Sequence, residues 1–419
     1  MSNTLRPYFT AVFCFVAAVA LPNAGTAQSN TASQFLGPHR NGVLPVTALL
    51  NQWPAAGPAV AWRAPGGVGM SGVSVANGLA LTMWNSPDGQ VLGALKLEDG
   101  TTEWTTRLAA NYENGMGNGP RATPTVDGDK VYAYTGDGML ACVKVADGEL
   151  VWQTPVVREL GGKPAEYGMS SSPLVVDQHV IVTVGGNGKA VAALDKLSGE
   201  IRWTAVDGTP GYASPALLQL AGEAQVVVFT GFGVSGIRPA DGDVLWQYRF
   251  PTPYDCNTAT PIEVDGNVFI SAGENHGCVM LSIAKSDAGY QPNVIWESTD
   301  VKSVMRNEWQ TSVEVDGFLY GFDNVGSAGP VTHLTCIDAS TGKPQWRETR
   351  FGKGNLVFAD GKLWITTMAG ELVLVEANPE KYVELGRKKY FGKTRQALAI
   401  TDGKGLIRDD AEIVCFDLK

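Results

Sequence analysis

The chain has 419 residues, 44% of them hydrophobic, with 50 Gly, 23 Pro, 11 Trp and a formal net charge of −10. That density of Gly and Pro excludes a largely helical protein, because one or the other interrupts almost every window of a dozen residues. The acidic balance, without any cluster of Lys and Arg, excludes a phosphate-backbone partner, so no nucleic acid is expected.

The first element in chain order is an export signal over residues 1–27. Arg6 gives the positive start, Phe9 to Leu21 is an apolar run, and Gly25-Thr26-Ala27 follows the helix-breaking Pro22 with small residues. The run is too short to span a hydrocarbon core about 30 Å thick, and no later segment qualifies. Phe13, before Cys14, is bulky where a lipobox needs a small residue. The mature chain is therefore expected in the periplasm or outside the cell, with no transmembrane segment. Residues 28–58 form a lead-in and residues 59–419 the folded body.

That body is a repeat. A short apolar strand, a turn carrying Asp-Gly or Ser/Thr-Gly, and a strand ending in Trp recur. Ala193-Leu194-Asp195 with Ser198-Gly199 and Trp203 is the clearest copy. Trp62, Trp104, Trp152, Trp203, Trp246, Trp296 and Trp346 mark the series, with a period of roughly 47 residues, four strands and their turns. The copy from Met280 to Trp296 has a lengthened turn around Ser286-Asp287-Ala288-Gly289, and the copy running on to Leu385 lacks its Trp. Each repeat opens on another hairpin, often Asp-Gly as at Asp127-Gly128, the pair favoured where a tight turn needs positive φ.

The ends decide closure. Cys415-Phe416-Asp417 is a third strand without a fourth, and Val60-Ala61-Trp62 is a fourth without a third. Together they complete one blade, so the sequence predicts an all-β, closed eight-bladed propeller with no open sheet edge. The tryptophans are structural, each filling a wedge between blades, with the Gly four residues earlier giving the flat ring a backbone to lie on. A closed ring has no compulsory partner, so a monomer is expected.

The segments entering each first strand are more polar than the strands they lead. Arg121, Lys353 and Arg395 suit an anionic group, with Trp309 or Tyr212 as a stacking platform. Asp255, Asn257 and Glu308 suit a hard, oxygen-liganded cation. The same residues would equally line a hydrated propeller mouth. Cys256 and Cys278 lie on one face. A disulfide between them, two free thiols, or a metal site with His276 and Asp255 are the readings left open. Cys142, Cys336 and Cys415 repeat one buried position. Gly67-Val68-Gly69-Met70-Ser71-Gly72 matches a dinucleotide fingerprint in letters, but leads into a strand and not a helix, so it carries no such function.

The spacing of Ala193, Asp195, Ser198, Gly199 and Trp203 resembles the tryptophan-docking motif of pyrroloquinoline-quinone (PQQ) dehydrogenases and their cofactor-free relatives. Gln34-Phe35-Leu36-Gly37-Pro38-His39-Arg40-Asn41-Gly42, followed by Gln52-Trp53-Pro54, is similar to a group labelled polyvinyl-alcohol-dehydrogenase-like. The architecture also resembles the propeller subunit of the outer-membrane β-barrel assembly machinery. These resemblances imply one of two functions. The first is a binding or scaffold propeller of the cell envelope that presents its loop-lined face to a protein, peptide or glycan. The second is a PQQ-dependent dehydrogenase of an alcohol or sugar, holding PQQ and calcium. The sequence has neither the adjacent Cys pair that lies over the quinone in such enzymes nor the CxxCH of covalent haem attachment.

Overall fold

The computed structural model describes Met1 and residues 32–186, 188–326 and 331–419, so nearly all of the expected signal lies outside the described residues. Eight antiparallel sheets surround one axis, each with its first strand innermost, except that the seventh gains a fifth strand on its inner side. Blade 3 is representative: Leu174–Val176, His179–Thr183, Val191–Asp195 and Ile201–Ala205 follow one another outward. Blade 8 joins the two ends of the chain. Glu412–Asp417 pairs with Ala59–Pro65, with Trp62 opposite Cys415. The ring is closed as the sequence predicts.

Every blade carries a register shift between its third and fourth strands beside the Trp position, as at Cys336/Ile337 opposite Trp346 and Met280/Leu281 opposite Trp296. Such a bulge re-aims one side chain, and here it turns the indole out of its own sheet. The ring then docks on the following blade, not on the glycine of its own repeat. A Cβ built on Gly148 would stand 2.6 Å from the Trp104 ring, and one on Gly199 2.6 Å from Trp152. The glycines four residues before Trp104, Trp152, Trp203, Trp246 and Trp346 therefore serve the preceding blade's Trp. The indole N–H completes the joint by donating to a carbonyl of that next turn: Trp62 to Leu97, Trp104 to Val145, Trp203 to Pro239 and Trp346 to Asn378. Trp246 departs from the rule. The long hairpin of blade 5, Gly277–Ser286 with Gly289–Thr299, offers it no tight glycine turn, and its N–H goes to Gln225 at 2.7 Å within its own blade.

The lead-in is built into the ring. The carbonyls of Ala32 and Ser33 accept from Val75 and Val126 of the innermost strands of blades 1 and 2. Val43–Leu44 then runs parallel to Phe358–Ala359 as the inner strand added to blade 7. Between them Arg40, 1% exposed, donates to the carbonyls of Ser172, Pro173 and Pro215 and to Thr125 Oγ1. Burial pulls its guanidinium down to about 9, so it remains charged at neutral pH. One side chain thus ties blades 2, 3 and 4 across the channel. The chain leaves past Asp360, which accepts from the Leu49 amide, and brings Trp53 under blade 7.

Candidate functional site

In each blade the segment entering strand 1 and the turn joining strands 2 and 3 share one face, called here the upper face. A second device fixes the entering segments. Ser172 Oγ accepts from the Thr123 amide, Ser214 Oγ from the Ser172 amide, and Thr311 Oγ1 from the Thr260 amide, each bond crossing to a neighbouring blade. A hydroxyl belt therefore holds the innermost backbones in step, and leaves the loops above them to carry specific side chains.

Those loops enclose a cavity of about 510 Å³ on the axis, to which all eight blades contribute. Arg121, Tyr212, Trp309, Lys353 and Arg395, drawn from five different entering segments, all line it, together with Glu308 and Cys256. Phe35 of the lead-in closes the cavity toward the channel, and Met70 and Met116 add apolar wall. Sequence reasoning missed these three. The signal was present for the methionines, which lie in glycine-rich loops, Gly69-Met70 and Gly115-Met116-Gly117, where no core claims them.

The cations are engaged by the protein itself. Both Arg121 terminal nitrogens donate to carbonyls, those of Gly117 and Gly119, and the guanidinium lies 4.7 Å over the Tyr112 ring. Burial pulls it down to about 10. Lys353 reaches Glu308 at 2.8 Å and stands 4.3 Å over Trp309. Arg395 lies 4.6 Å over the same indole and donates to the Met116 carbonyl. Burial pushes the Glu308 carboxyl above its ordinary range while the bonded Lys353 opposes the shift. Trp309 itself has φ +65°, held by Asn355, which donates to its carbonyl at 3.3 Å. Below it Arg306 grips the fully buried Asp323 with two bonds and anchors the segment 306–309.

The hard-cation set is not assembled. Asn257 is buried in the loop frame, its amide nitrogen donating to the carbonyls of Thr230 and Phe250 and its oxygen accepting from Thr252. The Asp255 carboxylate is turned toward Gly231 of blade 4, and Glu308 is committed to Lys353. Among the described residues no three His, Cys, Asp or Glu stand together as a metal site. With the Trp309 ring already under two cations, these residues do not fit a calcium-supported quinone.

Cys256 and Cys278 are free thiols. The bond entertained from sequence is not formed, because Cys278 packs between blades with Met280, Met305 and Ile337 while Cys256 lines the cavity. His276 stands edge-on to Phe250 at 4.3 Å, its pKa lowered by burial, and forms no three-residue metal-ligating group with its described neighbours. Cys142, Cys336 and Cys415 are buried, as their repeat position predicts.

Comparison with known proteins follows from this geometry. Residues 87–348 match the family described as outer membrane protein assembly factor BamB. A BamB from Bordetella pertussis is 26% identical over 197 residues, 47% of this chain and 46% of the relative. One from Yersinia pestis is 27% identical over 184 residues, 41% and 42% respectively. The chain spans about half the length of the curated relatives it matches. Among solved structures, the quinohemoprotein alcohol dehydrogenase of Comamonas testosteroni superposes with a TM-score of 0.66 at 14% identity, over 94% of this chain and 81% of that one. That likeness is one of fold. Among the described residues no helix is long and apolar enough to cross a membrane. The matched stretch covers more than half of the sequence and most of the ring, and by it the chain belongs to the family of outer membrane protein assembly factor BamB.

Proposed function

We propose that the protein is a binding and scaffold propeller of the cell envelope, exported to the periplasm or beyond, which presents its upper face to a protein or peptide. The carrying observation is that the cavity's cations are already engaged by its own carbonyls, carboxylate and indole, with the buried Nε of Arg395 left without an acceptor. A site so balanced offers shape and surface to a partner. Kinship with proteins named as outer-membrane assembly factors supports the same reading. A glycan is a second occupant compatible with the same aromatic wall.

The competing reading is a PQQ-dependent dehydrogenase of an alcohol or sugar. It is favoured by the convergence of Arg121, Lys353, Arg395 and Trp309 on one cavity. The experiment pairs two measurements. A photo-crosslinking residue at Met116, on the cavity rim, is expected to give a discrete adduct with an envelope protein in the native host. Calorimetry of the purified protein with PQQ and Ca²⁺ is expected to show no binding at tens of micromolar. Stoichiometric quinone binding without an adduct would replace the scaffold by the enzyme.

A further inference from the structure

The wall of the cavity formed by blades 3 to 5 differs from the cationic wall opposite. Tyr167 and Tyr212 stack with centroids 5.7 Å apart and planes 25° from parallel, and Tyr254 lies beside them on the rim, 63% exposed. Glu274 lines the same wall, and Glu166 precedes Tyr167 in the sequence. The phenol of Tyr167 is pushed up by burial first and then by the charge of Glu166, with Glu274 adding to the same direction. Aromatic faces beside carboxylates form an environment that attracts an ammonium or guanidinium group.

The backbone gives an independent sign. Tyr254 has φ +59° and Asp255 φ +53°, and in the facing turn Glu274 has φ +53° and Asn275 φ +58°. This is the left-handed region, where glycine is the unstrained choice. A sequence with 50 glycines elsewhere keeps a tyrosine and a glutamate here, in strained positions that bring their side chains to the cavity. The lower face shows the contrast. There the left-handed residues of the turns joining strands 1 and 2 are Asn77, Ala221, Asp265, Asp316, Asp360 and Asp402, each followed by Gly as hairpin geometry asks, and Asp177, followed by Gln178.

We propose that this wall is a recognition site for a Lys or Arg side chain presented by an extended peptide segment of a partner protein. The cationic head lies among Tyr167, Tyr212, Tyr254 and Glu274, and an adjacent apolar residue packs toward Met116 and Phe35. The proposal rests on the scaffold reading and names its partner chemistry. A peptide is preferred to a free ammonium compound because the cavity, about 510 Å³, extends past the tyrosines to an apolar floor that a bare cation would leave empty.

The test is calorimetry of the whole mature chain with two blocked peptides, acetyl-Gly-Lys-Phe-Gly-amide and its Glu counterpart, and with tetramethylammonium. The Lys peptide is expected to bind at least tenfold tighter than the Glu peptide and than tetramethylammonium. Its affinity is expected to fall at least fivefold in Tyr254→Leu and in Glu274→Gln, with each variant melting as the parent does. Equal affinity for the two peptides, absence of binding, or unchanged affinity in both folded variants would overturn the proposal. Tetramethylammonium binding as tightly as the peptide would overturn it too, and assign the wall to a small organic cation. If the Met116 adduct forms while the peptides fail, the scaffold reading stands and this inference falls. If both fail, the scaffold reading itself falls.

Discussion

The indole of Trp53 occupies the place where blade 7 has Gly386 in the docking position: a Cβ built on Gly386 would lie 2.5 Å from the Trp53 ring. Gly386 pairs with Leu374 beside the bulge, as Trp203 pairs with Ala193 in blade 3. The one repeat that lost its Trp therefore has it returned from the lead-in. Trp53 packs near Trp364, ring centroids 6.4 Å apart, within the cluster joining blades 7 and 8.

Removing that ring is expected to cost as much as removing a docking Trp. Trp53→Ala should lose about 3–5 kcal/mol of unfolding free energy. Unlike the repeat tryptophans, Trp53 has an N–H that meets no acceptor. Trp53→Phe should therefore be mild, while Trp104→Phe should lose roughly 1 kcal/mol more by stranding the Val145 carbonyl. Urea unfolding of the three variants decides it, and an equal cost for both Phe substitutions would contradict the assignment.

Arg40→Met keeps most of the volume and removes the donors. With the carbonyls of Ser172, Pro173 and Pro215 left facing an apolar chain, a loss of about 2–4 kcal/mol is expected, in proportion to how little water replaces them. Melting temperature and hydrogen exchange at the inner strands of blades 2 to 4 read it. Protection unchanged there would mean that the channel is held by the ring alone.

Arg306→Met should be costlier. It leaves Asp323 buried without its two-bond partner, worth about 3–5 kcal/mol in comparable buried pairs. Because Arg306 also fixes the segment carrying Glu308 and Trp309, crosslinking from the cavity rim should fall with stability. A variant that retained full stability would show Arg347, 3.1 Å from Asp323, to suffice alone.

Thiol chemistry gives a pH-dependent check. Burial first, then the charges of Glu274, Glu308, Asp255 and Glu166, push the Cys256 thiol up to about 12, and burial raises Cys278 to about 12 as well. A raised pKa keeps the thiol protonated, so little reactive thiolate exists at pH 8 and the amount grows about tenfold per pH unit up to that value. Native protein should react slowly with a thiol reagent, at Cys256 first and faster in Glu274→Gln, and the chain from residue 28 onward should show five thiols on denaturation. Three thiols would mean that Cys256 and Cys278 are bonded.

Blade number, closure and the upper-face origin of the site were legible because each rests on local pattern: a turn pair, a Trp at fixed spacing, a polar segment before a strand. What was hidden is relational. The sequence shows Gly148 and Trp152 four residues apart and gives no sign that Gly148 serves Trp104. Arg40 stands in the sequence only as one letter of the lead-in motif, with no sign of the three blades that surround it. Asn257 has the chemistry of a calcium ligand, and only its three partners show that the chemistry is spent on the loop.

The threaded lead-in also sets an order of events. Leu49 bonds to a residue 311 positions later, and Ala59–Pro65 pairs with Glu412–Asp417 at the far end of the chain. Made more than three hundred residues before their partners, these segments wait for them. The stopper of the channel and the latch of the ring must therefore stay unfastened until nearly everything else has been made. Contacts of such separation slow folding, and during that interval residues 32–65 remain open to chaperones, proteases and neighbouring copies of the same chain.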